Sequence, residues 1–236
     1  MHIKTQELET PRGKLIFPIQ SGKTVRRATR LLEKEPETIQ WVEQMPPSSV
    51  FWDVGANTGG FSLYAALDPN IRVVAVEPGA VNHYLLALSA EMNGLAGRID
   101  TYCIGFDDHT HAQSLAVSQL MPASSFRMSG AHDAERFGSQ QALLCFSIDD
   151  FLGWFEVPAP THLKIDVPNM PQAVLRGGAN TLADGPTTDI LVELDSACFE
   201  PGDLQRLLDW LAELGFRQMW RSEKKNPTLS DYLFRR

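Results

Sequence analysis

The chain has little cysteine. Cys103, Cys145 and Cys198 are its 3 cysteines in 236 residues. They are odd in number, far apart and form no CxxC pair, which argues against a disulfide framework or a structural zinc site and fits thiols kept reduced in a cytosol. No window approaches the roughly 20 apolar residues of a membrane-crossing helix, and Met1 to Thr10 lacks the apolar core of a signal peptide. Positive charge is also short: 21 Lys and Arg stand against 29 Asp and Glu, a net charge of −8. Sequence-independent nucleic-acid binding needs a cationic footprint that displaces counterions, so the balance argues against it. Repeats and long low-complexity runs are absent. What remains, with 43% hydrophobic and 21% charged residues, is ordinary globular composition, and a cytoplasmic protein is expected.

Residues 1–47 read as an N-terminal extension packed on the core. It holds a short strand over Lys14–Ile19 and a helix over Pro36–Met45, with Pro36 at its first turn and Pro46-Pro47 ending it. From residue 48 onwards, strands and helices alternate. Strands are expected at Val50–Val54, Ile71–Val76, Ile99–Ile104, Leu143–Ile148, His162–Val167 and Ile190–Leu194. Helices are expected at Thr58–Leu67, Gly79–Asn93, Pro171–Leu182 and Asp203–Leu214, and the tail after Phe216 supplies a final antiparallel pair. Residues 105–141 break this rhythm with Ser, Asp, His, Gln and Gly, and are expected as irregular strands or a lid over a site. The alternation predicts an α/β fold: a Rossmann-like, doubly wound, seven-stranded sheet, mostly parallel with a C-terminal antiparallel strand. Such sheets bind ligands beyond the carboxyl ends of their strands, so functional residues belong just after the strands.

Asp53-Val54-Gly55-Ala56-Asn57-Thr58-Gly59-Gly60 stands at the first of these ends. Gly55 and Gly59 let a backbone approach a ligand where a Cβ would collide. Glu77, followed by Pro78, ends the next strand, where a carboxylate can accept hydrogen bonds from a ribose diol. The dinucleotide fingerprint GxGxxG is not met, because Ala56-Asn57 stands where its second glycine belongs. Asp53 would repel a diphosphate but suits an ammonium. S-adenosylmethionine carries an ammonium and a sulfonium and no phosphate, so charge favours that cofactor. The expected cofactor-binding residues are Asp53, Gly55, Asn57, Gly59, Glu77, Pro78, Asp107 and Asp166, with Asp107 as an adenine contact after the third strand.

Five segments carry a more specific likeness. Phe51 to Ser62, Val76-Glu77-Pro78 with Asn82, Ser147 to Phe151, Leu163-Lys164-Ile165-Asp166-Val167 and Val174 to Gly178 resemble the FkbM-type methyltransferase family in order and spacing. Glu35-Pro36-Glu37-Thr38 with Trp41 resembles its N-terminal region. The likeness runs from about Pro11 to Leu194. It implies a class I S-adenosylmethionine-dependent methyltransferase domain over 48–236 and O-methylation of a sugar, glycan or small natural-product hydroxyl. One departure stands out. The family's Glu-Gly-x-Glu after the Lys-Ile-Asp-Val strand is here Pro168-Asn169-Met170-Pro171. The alternative reading is therefore a methyltransferase-fold binding or regulatory protein that has lost turnover.

Methyl transfer from a sulfonium mainly requires alignment and exclusion of water. Asp166 is the expected base and Lys164 its neighbour in the catalytic pair. His109, His111 and His132 are weaker candidates in the irregular segment. His109-Thr110-His111 has His-x-His spacing without acidic or cysteine partners, so no metal is expected. The Trp residues read as packing, and the leucine stripe 204–214 as core, with a homodimer face as its alternative. Lys224-Lys225 with Arg235-Arg236 reads as a solvated basic tail.

Overall fold

The computed structural model describes residues 3–116, 127–128, 140–168 and 170–236. The chain opens with an antiparallel hairpin, β1 (Thr5–Thr10) and β2 (Gly13–Pro18). Three helices follow: α1 (Gly22–Thr29), α2 (Leu31–Lys34) and α3 (Pro36–Glu43). β1, α1 and α2 were not expected. β1 and α1 are mostly polar, α2 is a single turn, and what starts α1 is a reciprocal cap. The Ser21 hydroxyl accepts from the Thr24 amide, and the Thr24 hydroxyl accepts from the Ser21 amide.

Next come β3 (Val50–Val54), α4 (Gly60–Ala66), β4 (Arg72–Val76), α5 (Ala80–Met92) and β5 (Ile99–Tyr102). A smaller sheet then interrupts, built from β6 (Gly105–Phe106), β7 (His111–Ala116), β8 (Arg127–Met128) and β9 (Gln140–Phe146) in the order β6-β9-β7-β8. Within the irregular segment the described residues form these short strands, with a bend over 107–110 between the first two, and His132 lies outside the described residues. The strand expected to run to Ile148 stops at Phe146. Ser147 turns the chain into α6 (Ile148–Trp154) by accepting the Asp150 amide at 3.0 Å.

β10 (His162–Ile165) returns to the main sheet. The single helix expected over 171–182 is two, α7 (Pro171–Gly177) and α8 (Ala179–Asp184), divided at Gly178. Gly177 has a packing reason: a Cβ there would stand 2.0 Å from the Asp107 carbonyl oxygen. The chain ends with β11 (Asp189–Asp195), α9 (Asp203–Glu213), β12 (Arg217–Glu223) and β13 (Leu229–Arg235).

The main sheet has seven strands in the order β12-β13-β11-β10-β3-β4-β5. β10 pairs parallel with both β3 and β11, and β13 is antiparallel to its neighbours β11 and β12. Strand order reverses between β3 and β10, which opens a crevice at their carboxyl ends. Alternate residues feed opposite faces. Phe51, Val73, Ala75 and Leu191 join a core with Leu15, Phe17, Trp41 and Leu63, so the N-terminal segment packs on the sheet. Trp52, Val74, Val76, Ile165 and Val192 join the other, under Phe151, Leu175, Leu207 and Leu211. The leucine stripe is core at Leu207 and Leu211, as expected.

At the far end of the sheet, Asp189 accepts from Trp41 Nε1 at 2.9 Å and from Arg235 Nη2 at 2.6 Å. Arg236 donates to the carbonyls of Leu182, Ala183 and Gly185. Arg235 and Arg236 are thus exposed, as expected, but also tie β13 and the chain end to β11 and α8. Among the described residues no helix is long and apolar enough to cross a membrane.

Trp52 is fully buried, stacks on Phe106 at 5.7 Å and donates its indole N–H to the Pro158 carbonyl. Trp52→Ala is expected to cost roughly 3–5 kcal/mol in urea unfolding, and a cost under about 1 kcal/mol would contradict this packing.

Candidate functional site

A cavity of about 290 Å³ opens at the tips of β3, β4 and β10. Glu77, Asp166 and Glu193 are its carboxylates, and Arg27 of α1 is its guanidinium. Val54, Val76, Ile104, Phe106 and Leu115 form its apolar walls. A smaller hollow of about 50 Å³ adjoins it, sharing Arg27, Gly55, Asn57 and Asp166 and adding Lys164 and Phe61.

Gly55 makes the crevice narrow. It sits at φ +85°, and a Cβ there would stand 2.1 Å from the Asp166 carbonyl oxygen. The turn after β3 and the chain leaving β10 thus touch backbone to backbone. Gly59, at φ +86°, lies under α5 and faces Leu86.

Glu77 is buried at the end of β4. Its Oε2 accepts the Asn57 amide at 2.8 Å, and its Oε1 accepts the Gly79 amide at 2.9 Å and Asn82 Nδ2 at 3.4 Å. A carboxylate offers about four acceptor sites, and three of them are used among the described residues. Burial pushes the Glu77 carboxyl up to about 7 against the lowering pull of those hydrogen bonds.

Asp53 is placed differently from the expectation. It is 1% exposed and lines neither hollow. Its Oδ1 accepts from Lys164 Nζ at 3.1 Å and its Oδ2 from the Ser62 hydroxyl at 2.7 Å. Lys164 Nζ lies 3.6 Å from Asp166, whose side chain is 35% exposed. Burial alone would depress the Lys164 ammonium, but Asp53, Asp166 and Glu35 reverse that and hold it above the ordinary lysine range. Burial would raise Asp166, but Lys164, then Lys224, Lys34 and Arg27 outweigh it and keep the carboxyl below its usual value. The carboxylate presented to the cavity beside the β3 turn is therefore Asp166, with Asp53 beneath it as counter-ion to Lys164.

Asp107 is also off the wall. It is buried, accepts the Asp108 amide at 2.8 Å and lies 3.7 Å from His111 Nε2. Its neighbours Gly105 and Phe106 line the cavity instead. His109 is exposed and paired with Asp108. Of the expected residues, then, Gly55, Asn57, Glu77, Pro78 and Asp166 share one cavity, Lys164 the next, while Asp53, Gly59 and Asp107 stand behind. Glu193 and Arg27 were not expected. A lone carboxylate near the end of the apolar strand Ile190–Leu194 was the available signal for the first; nothing in the sequence pattern marked the second.

The doubly wound sheet with this crevice at its switch point is the fold of Rossmann-like S-adenosylmethionine-dependent methyltransferases. Fibrillarin of Aeropyrum pernix, solved with natively bound S-adenosyl-L-methionine, superposes with a TM-score of 0.51 at 11% identity, covering 98% of this chain and 82% of that one. TYW2 of P. horikoshii, in complex with MeSAdo, gives 0.52 at 10%, with 98% and 69% covered. Both likenesses concern the fold. Residues 53–218 match the Methyltransferase FkbM domain, and the chain belongs to that family. The 31-O-demethyl-FK506 methyltransferase FkbM of Streptomyces tacrolimicus is 28% identical over 160 residues, 57% of this chain and 61% of the relative. The hexuronic acid methyltransferase AglP of Haloferax volcanii is 23% identical over 192 residues, 81% of this chain and 74% of the relative. The chain thus matches a little under two thirds of the first relative's length.

The Gly55 contact is open to test. Gly55→Ala is expected to lose roughly 1–3 kcal/mol of stability in urea titration. Gly97→Ala, with nothing within 4 Å of its Cβ position, serves as the control and should change little. Equal stability of the two variants would contradict the backbone approach.

Proposed function

We propose that the protein transfers a methyl group from S-adenosylmethionine to a hydroxyl oxygen of a sugar, glycan or small natural product. The observation that carries this is the cavity itself: a buried carboxylate, Glu77, and an ionised one, Asp166, in one space whose remaining walls include the apolar Val54, Val76, Ile104, Phe106 and Leu115. The donor set fits the cofactor. Glu77 accepts the ribose hydroxyls, since its three donors among the described residues leave an acceptor site for them. Gly55, Asn57 and Pro78 border the sugar. Val76, Ile104, Phe106 and Leu115 offer the adenine an apolar slot. Asp166 meets the ammonium end, and Lys164 and Asp53 keep it charged and in place. The bound cofactor supplies a methyl on a positively charged sulfur. The chain's own contribution is alignment of the reacting groups between charged and apolar walls. The family relatives named for a 31-O-demethyl macrolide and a hexuronic acid support a hydroxyl-bearing acceptor.

A second reading, a cofactor-binding protein without turnover, is favoured by Pro168, Met170 and Pro171 standing where the family pattern has Glu, x and Glu. The fold tolerates the change, since Pro171 takes the first position of α7. Incubation with S-adenosylmethionine and a panel of methyl glycosides and hydroxylated macrolides separates the two. A product heavier by one methyl, with S-adenosylhomocysteine formed, supports the first reading. Tight S-adenosylhomocysteine binding with no methylated product supports the second.

Binding also has a defined pH dependence. The ionised Glu77 is the form that accepts ribose hydrogen bonds, and its carboxyl sits at about 7. S-adenosylhomocysteine affinity, read by calorimetry, is therefore expected to strengthen as pH rises through 7, to level off above it, and to weaken below. Hydrogen bonds to a charged group contribute about 1.5–3 kcal/mol, so Glu77→Gln should bind roughly 10–100-fold more weakly and show a flatter profile. An unchanged profile in that variant would remove Glu77 from the ribose site.

A further inference from the structure

The methyl group must leave the cofactor cavity for an acceptor held next to it. A further hollow of about 150 Å³ lies alongside. Val167, Pro168 and Glu193 wall both spaces, and of these three only Glu193 can accept a proton. Asp195, Cys198, Phe199 and Leu229 form much of the remainder, and no cation lines this hollow among the described residues. On the methyl-transfer reading, a cofactor in one space and an acceptor in the other meet at this partition. From this shared wall we infer that Glu193 is the proton acceptor of the methyl transfer, and that the acceptor hydroxyl enters from the 150 Å³ hollow. The inference rests on the O-methyl-transfer reading above.

In the step, the acceptor oxygen bonds the methyl carbon as the carbon–sulfur bond breaks, its electron pair remaining on sulfur. The hydroxyl proton passes to the Glu193 carboxylate and leaves to solvent. The products are the methyl ether, the neutral thioether and one proton.

The surroundings suit this role. Lys224, in the turn between β12 and β13, hydrogen-bonds Glu193 Oε2 and also pairs with Asp231 of β13 at 3.0 Å and Glu35 at 3.7 Å. Asp166, Lys164, Glu35 and Asp231 share a small hollow with Glu193. Burial first, then Asp166, push the Glu193 carboxyl up to about 7, while Lys224 draws it down and Asp231 adds to the rise. A base titrating near the working pH is the effective one. Asp166, held ionised by Lys164, is the poorer proton acceptor, so the base expected at Asp166 moves to Glu193 in this inference.

Calorimetry on the full chain tests this without knowledge of the acceptor. S-adenosylmethionine and S-adenosylhomocysteine differ at sulfur by one methyl and one positive charge. Each is titrated in two buffers of different ionisation enthalpy, which gives the protons released on binding. A sulfonium at the partition stabilises ionised Glu193, so near pH 7 the sulfonium ligand should expel up to roughly half a proton more than the thioether. Glu77, on the ribose side, meets both ligands alike and cancels. The excess should vanish near pH 9, where the carboxyl is already ionised, and be lost in Glu193→Gln with thioether affinity kept within about threefold. Absence of an excess in the wild type, or the same excess in Glu193→Gln, overturns the inference. Should Glu193→Gln not fold, the wild-type series decides: a peak near pH 7 supports the inference and a flat series overturns it. If neither ligand binds, the cofactor reading itself falls and takes this inference with it.

Discussion

The site depends on one buried ammonium. Lys164 is 4% exposed in its side chain and sits between Asp53 on β3 and Asp166 after β10. An unpaired charge in that position would be costly, and so would either carboxylate without it. Together they hold the two strands that flank the reversal of strand order. The Gly55–Asp166 backbone approach then fixes how far apart the strand ends lie. The chemistry follows from the same arrangement. Asp53 is consumed in holding Lys164, so Asp166 can face the cavity fully ionised. The cavity's carboxylates are thereby sorted by environment: Asp166 is pulled down by its cation, while Glu77 and Glu193 are pushed up by burial to about 7. Groups near each other with separated proton affinities can do different work.

A second charged network extends the first. Lys224 draws Glu35, Glu193 and Asp231 together, and these come from the start of α3, from β11 and from β13. The N-terminal segment and the C-terminal strands therefore both reach the crevice. Arg27 adds a guanidinium from α1 to the cavity wall. The segment before residue 48 is accordingly part of the site's architecture, and Leu15, Phe17 and Trp41 anchor it in the same core as Phe51 and Leu63.

Much of this was readable from sequence wherever the signal is local. The apolar run Val50–Val54, the glycine turn after it and Glu77 at the next strand end mark the crevice because strand, turn and helix each have a short-range signature. The alternation of faces from Phe51 and Trp52 follows directly from strand period. What escaped depends on distant partners. Asp53 was read as a cofactor contact because its Lys164 partner is 111 positions away. Lys224 read as solvated tail because its carboxylates lie at the start of α3, on β11 and on β13. Glu193 was hidden in an apolar strand, where period says nothing about which tip faces a cavity. The close approach of the Asp107 backbone to Gly177 was not legible because the two come from separate segments. The short helix α6 was missed because Ser147 caps a run that reads equally well as strand.

The most direct test of the Lys164 account is a paired variant, Asp53→Asn with Lys164→Met, which removes the buried ion pair without leaving either charge alone. The readout is S-adenosylhomocysteine affinity by calorimetry across acid to neutral pH. Without its cation Asp166 should protonate at higher pH, so the account predicts that below pH 7 binding in the paired variant falls more steeply on acidification than that of the wild type. Affinities that stay parallel across the whole range would show that Lys164 does not govern Asp166, and would contradict the account.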